Sequence, residues 1–168
     1  MTILPSTVPP FIVMLVGLPG SGKSTFADML LKGNKEKFVH INQDILKTRP
    51  NCELLCRESL HNLKCPIIDR CNFNPDQRNH FLAIAREVNV PVDVLVFSYS
   101  VEVCIQRCEQ RQGHPTLKPA NAREIVSMLS NQYRPPTSRN SSEFRKIIYI
   151  SSFEDATRVA SEYLLNAH

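Results

Sequence analysis

No apolar run in this 168-residue chain approaches the roughly 20 residues that a helix needs to cross a bilayer, so no membrane span is expected. A cleaved leader is not expected either. The opening stretch from Met1 to Leu18 has no basic start and no small-residue cleavage site, and its apolar part serves better as a strand. Charge of one sign is also scarce. A formal net charge of +4 permits an anionic partner without demanding one, because so mild an excess is common on solvated surfaces. The six cysteines, at 52, 56, 65, 71, 104 and 108, include no Cys-x-x-Cys pair of the kind that holds zinc, and the two Cys-x-x-x-Cys pairs fall on expected helices. They read as reduced thiols of a cytoplasmic or nuclear protein. Tryptophan is absent and other aromatics are few, so there is little with which to build platforms that stack successive bases. A guanine-reading Asn-Lys-x-Asp after a late strand is missing, since Asn34-Lys-Glu-Lys37 has the wrong last residue and follows the first helix. That excludes a GTPase. There is no internal repeat and no domain linker, and a chain of this length buries about 70% of its unfolded surface as a single unit.

Glycine is rare as well, at five residues, yet the segment Gly17-Leu-Pro-Gly-Ser-Gly-Lys-Ser24 is a complete G-x-x-x-x-G-K-[ST] phosphate loop. It directly follows the apolar run Phe11 to Val16 and precedes Ser24-Thr-Phe-Ala-Asp-Met-Leu-Leu31, giving the strand, loop and helix that the motif requires. In such a loop backbone N–H groups curl around the β-phosphate and the helix N-terminus adds its positive end. Lys23 is then expected to reach the β/γ oxygens and Ser24 to ligate Mg²⁺. The expected ATP-binding set is Gly17, Pro19, Gly20, Ser21, Gly22, Lys23, Ser24 and Thr25.

Strand and helix alternate through the rest of the chain. Strands are expected at Phe38 to Ile41, Pro66 to Asp69, Val90 to Phe97 and Lys146 to Ile150. Helices are expected from Pro50 to Leu63, with Leu54, Leu55, Leu60 and Leu63 as the core stripe, from Asn74-Pro75 to about Val88, from Val101 to Arg111, from Pro119 to about Tyr133, and from Glu154 to Leu165. Gly113-His-Pro115 breaks one helix, and Arg134 to Ser142 reads as loop. The fold class that follows is α/β: a P-loop NTPase with a five-stranded parallel sheet, helices on both faces and a helical lid. Residues 1–10 are expected to form an N-terminal extension and residues 11–168 the domain, with the lid at about 101–133.

Chemistry gathers at the carboxyl ends of the strands. The second strand exits into His40-Ile-Asn-Gln-Asp44, placing Asp44 at the mouth of the site either as a general base for an acceptor hydroxyl or as a cap for the next turn. Asp69 ends the third strand, where it either holds Mg²⁺ with Ser24 or is an ordinary strand-end acid. Arg107 and Arg111 are four apart on one helix, positioned for ATP phosphates under a lid or simply forming a solvated face. Lys47 and Arg49 are the cations nearest Asp44 in sequence, with Arg57, Arg70 and Arg78 on segments expected to leave the same sheet edge. An anionic acceptor or a solvated turn accounts for them equally.

Taken together, Gly17 to Phe26, Ile41-Asn-Gln-Asp44, Asp69-Arg-Cys-Asn-Phe-Asn-Pro75 with Arg78, and the Arg107/Arg111 lid resemble the polynucleotide 5′-hydroxyl kinases of nucleic-acid end repair, over about four-fifths of the chain. The resemblance implies that Asp44 is the general base on a 5′-hydroxyl and that Arg111 contacts the ATP phosphates. Two departures stand out. The family often has Asn-Arg-Asp where this chain has Asn42-Gln43-Asp44, and its Asp-x-Asn-x-Asn-Pro appears with one extra residue. The expected activity is Mg²⁺-dependent transfer of the γ-phosphate of ATP to 5′-hydroxyl ends of DNA or RNA by a monomer, with little base preference and with an end-repair phosphatase or ligase as partner in cis or trans. A kinase acting on a small hydroxyl compound and a nucleotide-gated binding module are the alternatives.

Overall fold

Runs of β-branched and aliphatic residues buried on both sides make parallel strands. A computed structural model describes residues 8–111, 113–114, 117–137 and 142–167. Within them lie β1 (Ile12–Val16), α1 (Lys23–Gly33), β2 (Phe38–Asn42), α2 (Gln43–Leu46), α3 (Arg49–His61), β3 (Cys65–Asp69), α4 (Pro75–Val88), β4 (Val92–Phe97), α5 (Val101–Gln110), α6 (Ala122–Gln132), β5 (Lys146–Ile150) and α7 (Phe153–Leu165). All strand pairings are parallel, in the order β2-β3-β1-β4-β5. This is the α/β architecture of a P-loop NTPase.

The period-2 alternation of β1 sends its side chains to two separate cores. Val13 and Leu15 pack with Phe26 and Leu30 of α1 and with Val159 and Tyr163 of α7 on one face. Ile12, Met14 and Val16 pack with Cys52 and Cys56 of α3 and with Phe81 and Ile84 of α4 on the other. The helices α5 and α6 close around their own small core of Cys104, Ile105, Cys108, Leu117 and Val126, to which Leu18 of the phosphate loop contributes. A second glycine turn is unnecessary at the end of α4, because Asn89 takes the left-handed conformation there (φ 55°).

The core stripe of α3 differs from the leucine stripe expected. Leu54 and Leu63 are largely exposed, and the buried face is Cys52, Cys56, Ser59 and Leu60. The 3.6-residue period places 52, 56 and 60 on one line, whereas 54 points away and Leu63 lies past the helix end with φ 59°. Arg57 is also displaced from its expected edge. It lines a shallow depression with Pro10 and Val90, at the amino ends of the strands. Arg78 is buried and structural, its Nη1 donating to the carbonyls of Asn72 (3.0 Å) and Arg134 (2.8 Å). The far end of the sheet is pinned by the fully buried Asp93, which accepts a two-pronged bond from Arg145 (2.9 Å twice) and one from the Tyr163 hydroxyl (2.7 Å). Of the expected breaks and loops, Pro115 and residues 138–141 lie outside the described residues, as does most of the expected N-terminal extension.

Candidate active site

The phosphate loop owes its shape to glycine at two points. Gly20 and Gly22 have φ of 83° and 93°, a region that favours glycine. A Cβ on Gly20 would also stand 2.5 Å from the carbonyl oxygen of Cys104, so α5 packs directly onto the loop. Lys23 is nearly buried, and its ammonium donates to the carbonyls of Gly17 and Leu18 (2.9 Å each) and toward Ser21 Oγ (3.4 Å). Pro19, Gly20, Ser21, Gly22, Ser24 and Thr25 line a cavity of about 620 Å³ at the carboxyl ends of the strands. Gly17 sits behind it, its N–H donating to the Cys71 carbonyl (3.1 Å).

Asp69 ends β3 one strand away, directly opposite Leu15 of β1 and Asn42 of β2. A single oxygen, Oδ2, accepts from Ser24 Oγ (2.8 Å), His40 Nε2 (2.7 Å) and Asn42 Nδ2 (3.1 Å). Burial alone would raise the Asp69 pKa. The His40 bond, the nearby Lys23 charge and the Ser24 bond outweigh it, holding the carboxyl below its ordinary value. Because an ionised carboxylate only accepts, His40 presents Nε2–H to it.

Asp44 lies on the first turn of α2 and lines the same cavity. Asn42 is the helix cap, accepting from the Asp44 backbone N–H (2.8 Å), so capping this turn does not fall to the Asp44 carboxylate. His114, between α5 and α6, places Nε2 3.4 Å from Asp44 Oδ2. Arg107 and Arg111 line the cavity from the other side. The Arg107 guanidinium lies 4.4 Å from the Tyr99 ring centre and donates to the Gly20 carbonyl (3.3 Å). Arg111 Nε is buried and has no hydrogen-bond partner among the described residues, which is the condition of a donor aimed at a ligand.

Lys47 and Arg49 do not line the cavity. Lys47 donates to the Asp44 carbonyl (3.1 Å), while Arg49 pairs with Glu53 (3.5 Å) and meets His80 Nε2 (3.0 Å). Arg70 does line it, beside Gln77 (3.2 Å) and over the Phe81 ring. The extra residue after Asp69 gives Asn72 a structural role. It takes φ 49° and donates to the Leu15 carbonyl (2.7 Å), tying the β3–α4 loop to β1. Sequence reasoning missed His40, Asn42 and His114. The first two carried a signal, since polar residues two apart on a strand share a face. Nothing local marked His114.

A family model described as an AAA domain matches residues 12–60 and 50–135, well over half of the chain. The chain belongs to that family. Its P-loop fold implies nucleotide binding, and its relatives place it among polynucleotide-kinase-like P-loop proteins. It is 31% identical over 159 residues to the transcription factor bHLH140 of Arabidopsis thaliana, covering 90% of this chain and 17% of that protein. It is 36% identical over 92 residues to the bifunctional polynucleotide phosphatase/kinase of Schizosaccharomyces pombe, covering 55% of this chain and 22% of that one. The chain thus spans about a fifth of the length of these curated relatives. Among solved structures, Chaetomium thermophilum Kti12 in complex with ADP-AlF3 superposes with a TM-score of 0.73 at 18% identity, over 93% of this chain and 98% of that one. A fungal RNA kinase does so with a TM-score of 0.73 at 14% identity, over 95% and 88%. These last two likenesses concern the fold. A kinase-like P-loop fold and the names of the relatives support a phosphotransferase.

Proposed function

We propose that the protein transfers the γ-phosphate of ATP to the 5′-hydroxyl of a DNA or RNA end. One observation carries the reading: the phosphate loop and the Asp44 carboxylate line a single cavity, large enough for a terminal phosphoryl group and an incoming alcohol. The kinase names of relatives with similar sequence add to it.

Ser24 and Asp69 fit a Mg²⁺ ion. They offer a hydroxyl and a carboxylate 2.8 Å apart, hard oxygen donors of the kind that suits a small cation retaining waters and phosphate oxygens. When bound, the ion would neutralise charge on the transferring phosphates. Lys23 lets go of its loop carbonyls and turns to the β/γ oxygens. Arg107 and Arg111 hold the triphosphate from the lid, with the orphaned Arg111 Nε as the added donor for charge that develops during transfer. Asp44 takes the proton of the acceptor hydroxyl as its oxygen bonds to Pγ and the bond from Pγ to the β-bridging oxygen breaks, leaving ADP with the bond electrons. Lys47, which follows α2 as its C-terminal cap, and Arg49, at the start of α3, lie beyond the cavity and contact phosphates of nucleotides further along the strand. An end-repair phosphatase or ligase supplies the companion step.

The test is transfer of label from ATP with Mg²⁺ to 5′-hydroxyl oligonucleotides of DNA and RNA, beside a panel of nucleosides and sugars. Label on oligonucleotide ends supports the reading. Transfer confined to small hydroxyl compounds, or ATP binding without transfer, refutes it.

A further inference from the structure

The lid region brings both Arg111 and His114 to the cavity, and phosphate binding uses only the arginine. His114, three residues further on, shares that cavity and approaches the opposite reactant. Its ring nitrogens are distinguishable. The backbone N–H of Leu117 donates to His114 Nδ1 at 2.9 Å, so Nδ1 presents its lone pair and the neutral ring carries its proton on Nε2. That N–H-bearing nitrogen is the one 3.4 Å from Asp44 Oδ2.

We propose that His114 is a positioning residue, which donates from Nε2 to one oxygen of Asp44 as the lid engages and so aims the other oxygen at the acceptor hydroxyl. The proposal rests on Asp44 acting as the base. Closing 3.4 Å to the ordinary 2.7–3.2 Å of an N–H···O bond takes a few tenths of an ångström, and such bonds commonly tighten only when substrates are bound. His114 itself has no vacant lone pair for the hydroxyl proton, because Nδ1 already accepts from Leu117 and Nε2 is protonated. Burial and the Arg111 charge push its pKa below the ordinary imidazole value, against the opposing pull of Asp44 and Asp69. A donor makes Asp44 a slightly weaker base, so its benefit is orientation, and misplacement of a reacting group by about 1 Å costs as much as 10²-fold. Because Arg111 and His114 lie at one end of the same lid, phosphate engagement and base alignment become a single event.

Single-turnover transfer at saturating ATP tests this with His114→Ala and His114→Gln, the second of which places an amide N–H near the Nε2 position. The expected result is a loss of about 10- to 100-fold for His114→Ala, largely restored by His114→Gln, with ATP affinity little changed in either. On an Asp44→Asn background His114→Ala should add almost nothing. Equal losses for Ala and Gln, or full additivity with Asp44→Asn, overturn the proposal. A second readout needs no acceptor: ¹⁵N spectra of the histidine rings in the ligand-free protein should show His114 as the Nε2–H tautomer, with that resonance displaced by Asp44→Asn. An Nδ1–H tautomer, or a resonance indifferent to Asp44, overturns it. If the parent phosphorylates no nucleic-acid end, the acceptor assignment falls while the ring spectrum still decides His114.

Discussion

Asp44→Asn should separate the proposed base catalysis from nucleotide binding, because the Asp44 carboxylate lines the cavity while the local turn is held by other groups. Its side chain is 36% exposed, and the cap runs from Asn42 to the Asp44 backbone N–H, which the substitution leaves in place. Surface changes of this kind shift stability by about 0.5 kcal/mol or less. In the proposed function ATP contacts come from the phosphate loop and the lid, so its affinity should move less than about threefold, the equivalent of well under 1 kcal/mol. The chemical step has to change far more. A positioned general base contributes about 10²–10⁴ in rate, which at 1.36 kcal/mol per tenfold is about 2.7–5.4 kcal/mol of barrier. Rapid-quench single turnover with a 5′-hydroxyl oligonucleotide measures the step, and fluorescent-nucleotide displacement measures the affinity. A variant that binds ATP poorly yet transfers normally, or one whose rate falls less than tenfold, would refute Asp44 as the base.

Lys23→Ala should reduce transfer to about a thousandth of the parent or less, on the scale set by loss of a charged donor to the reacting phosphate; near-normal turnover would end the phosphate-loop assignment. Arg111→Ala should slow single turnover about 10²-fold with a smaller effect on acceptor KM, and unchanged kinetics would show that its buried Nε is not aimed at ligand. Away from the site, Arg145→Ala should cost about 3–5 kcal/mol in urea unfolding, because it strands a buried carboxylate that also accepts from the Tyr163 hydroxyl; a loss below about 1 kcal/mol would mean that Asp93 finds compensation elsewhere.

The elements most legible in the sequence were those whose local pattern and tertiary role agree. Phe11 to Val16, the glycine turn and Lys23 formed strand, loop and helix because each required no distant partner to be recognised. The cap residues Ser100 and Asn74 worked for the same reason, each accepting from the backbone N–H three residues on. The leucine stripe of α3 misled because cysteine packs as a small hydrophobe: Cys52 and Cys56 are completely buried while Leu54 faces solvent. The one-turn α2 escaped notice since four residues show no period, and with it went the fact that Asn42, not Asp44, makes the cap. Asp93 gave no hint of its buried network either, since its partners lie 52 and 70 residues away in sequence.

Strand order explains why the two sides of the candidate site belong to different parts of the chain. After β1 the chain passes to β2 at the sheet edge and returns through β3 before β4 opens the other side, so the crevice at the carboxyl ends of β1 and β3 is the switch point where ligands bind in open α/β sheets. Asp44 and Asp69 reach it from the β2 and β3 side. Arg107, on the helix that follows β4, and Arg111, the extended residue that caps that helix, reach it from the other side. The phosphate loop, on the central strand, lies between acid groups and cations, so the phosphoryl group would travel from the arginine side toward the carboxylate side. Among the described residues His114 meets Asp44 across that gap, at 3.4 Å. The separation of those two side chains therefore reports whether the two halves have been joined, and the His114 Nε2–H resonance should shift with ATP in the parent but much less in Arg111→Ala, an equal shift in both showing that the arginine does not couple them.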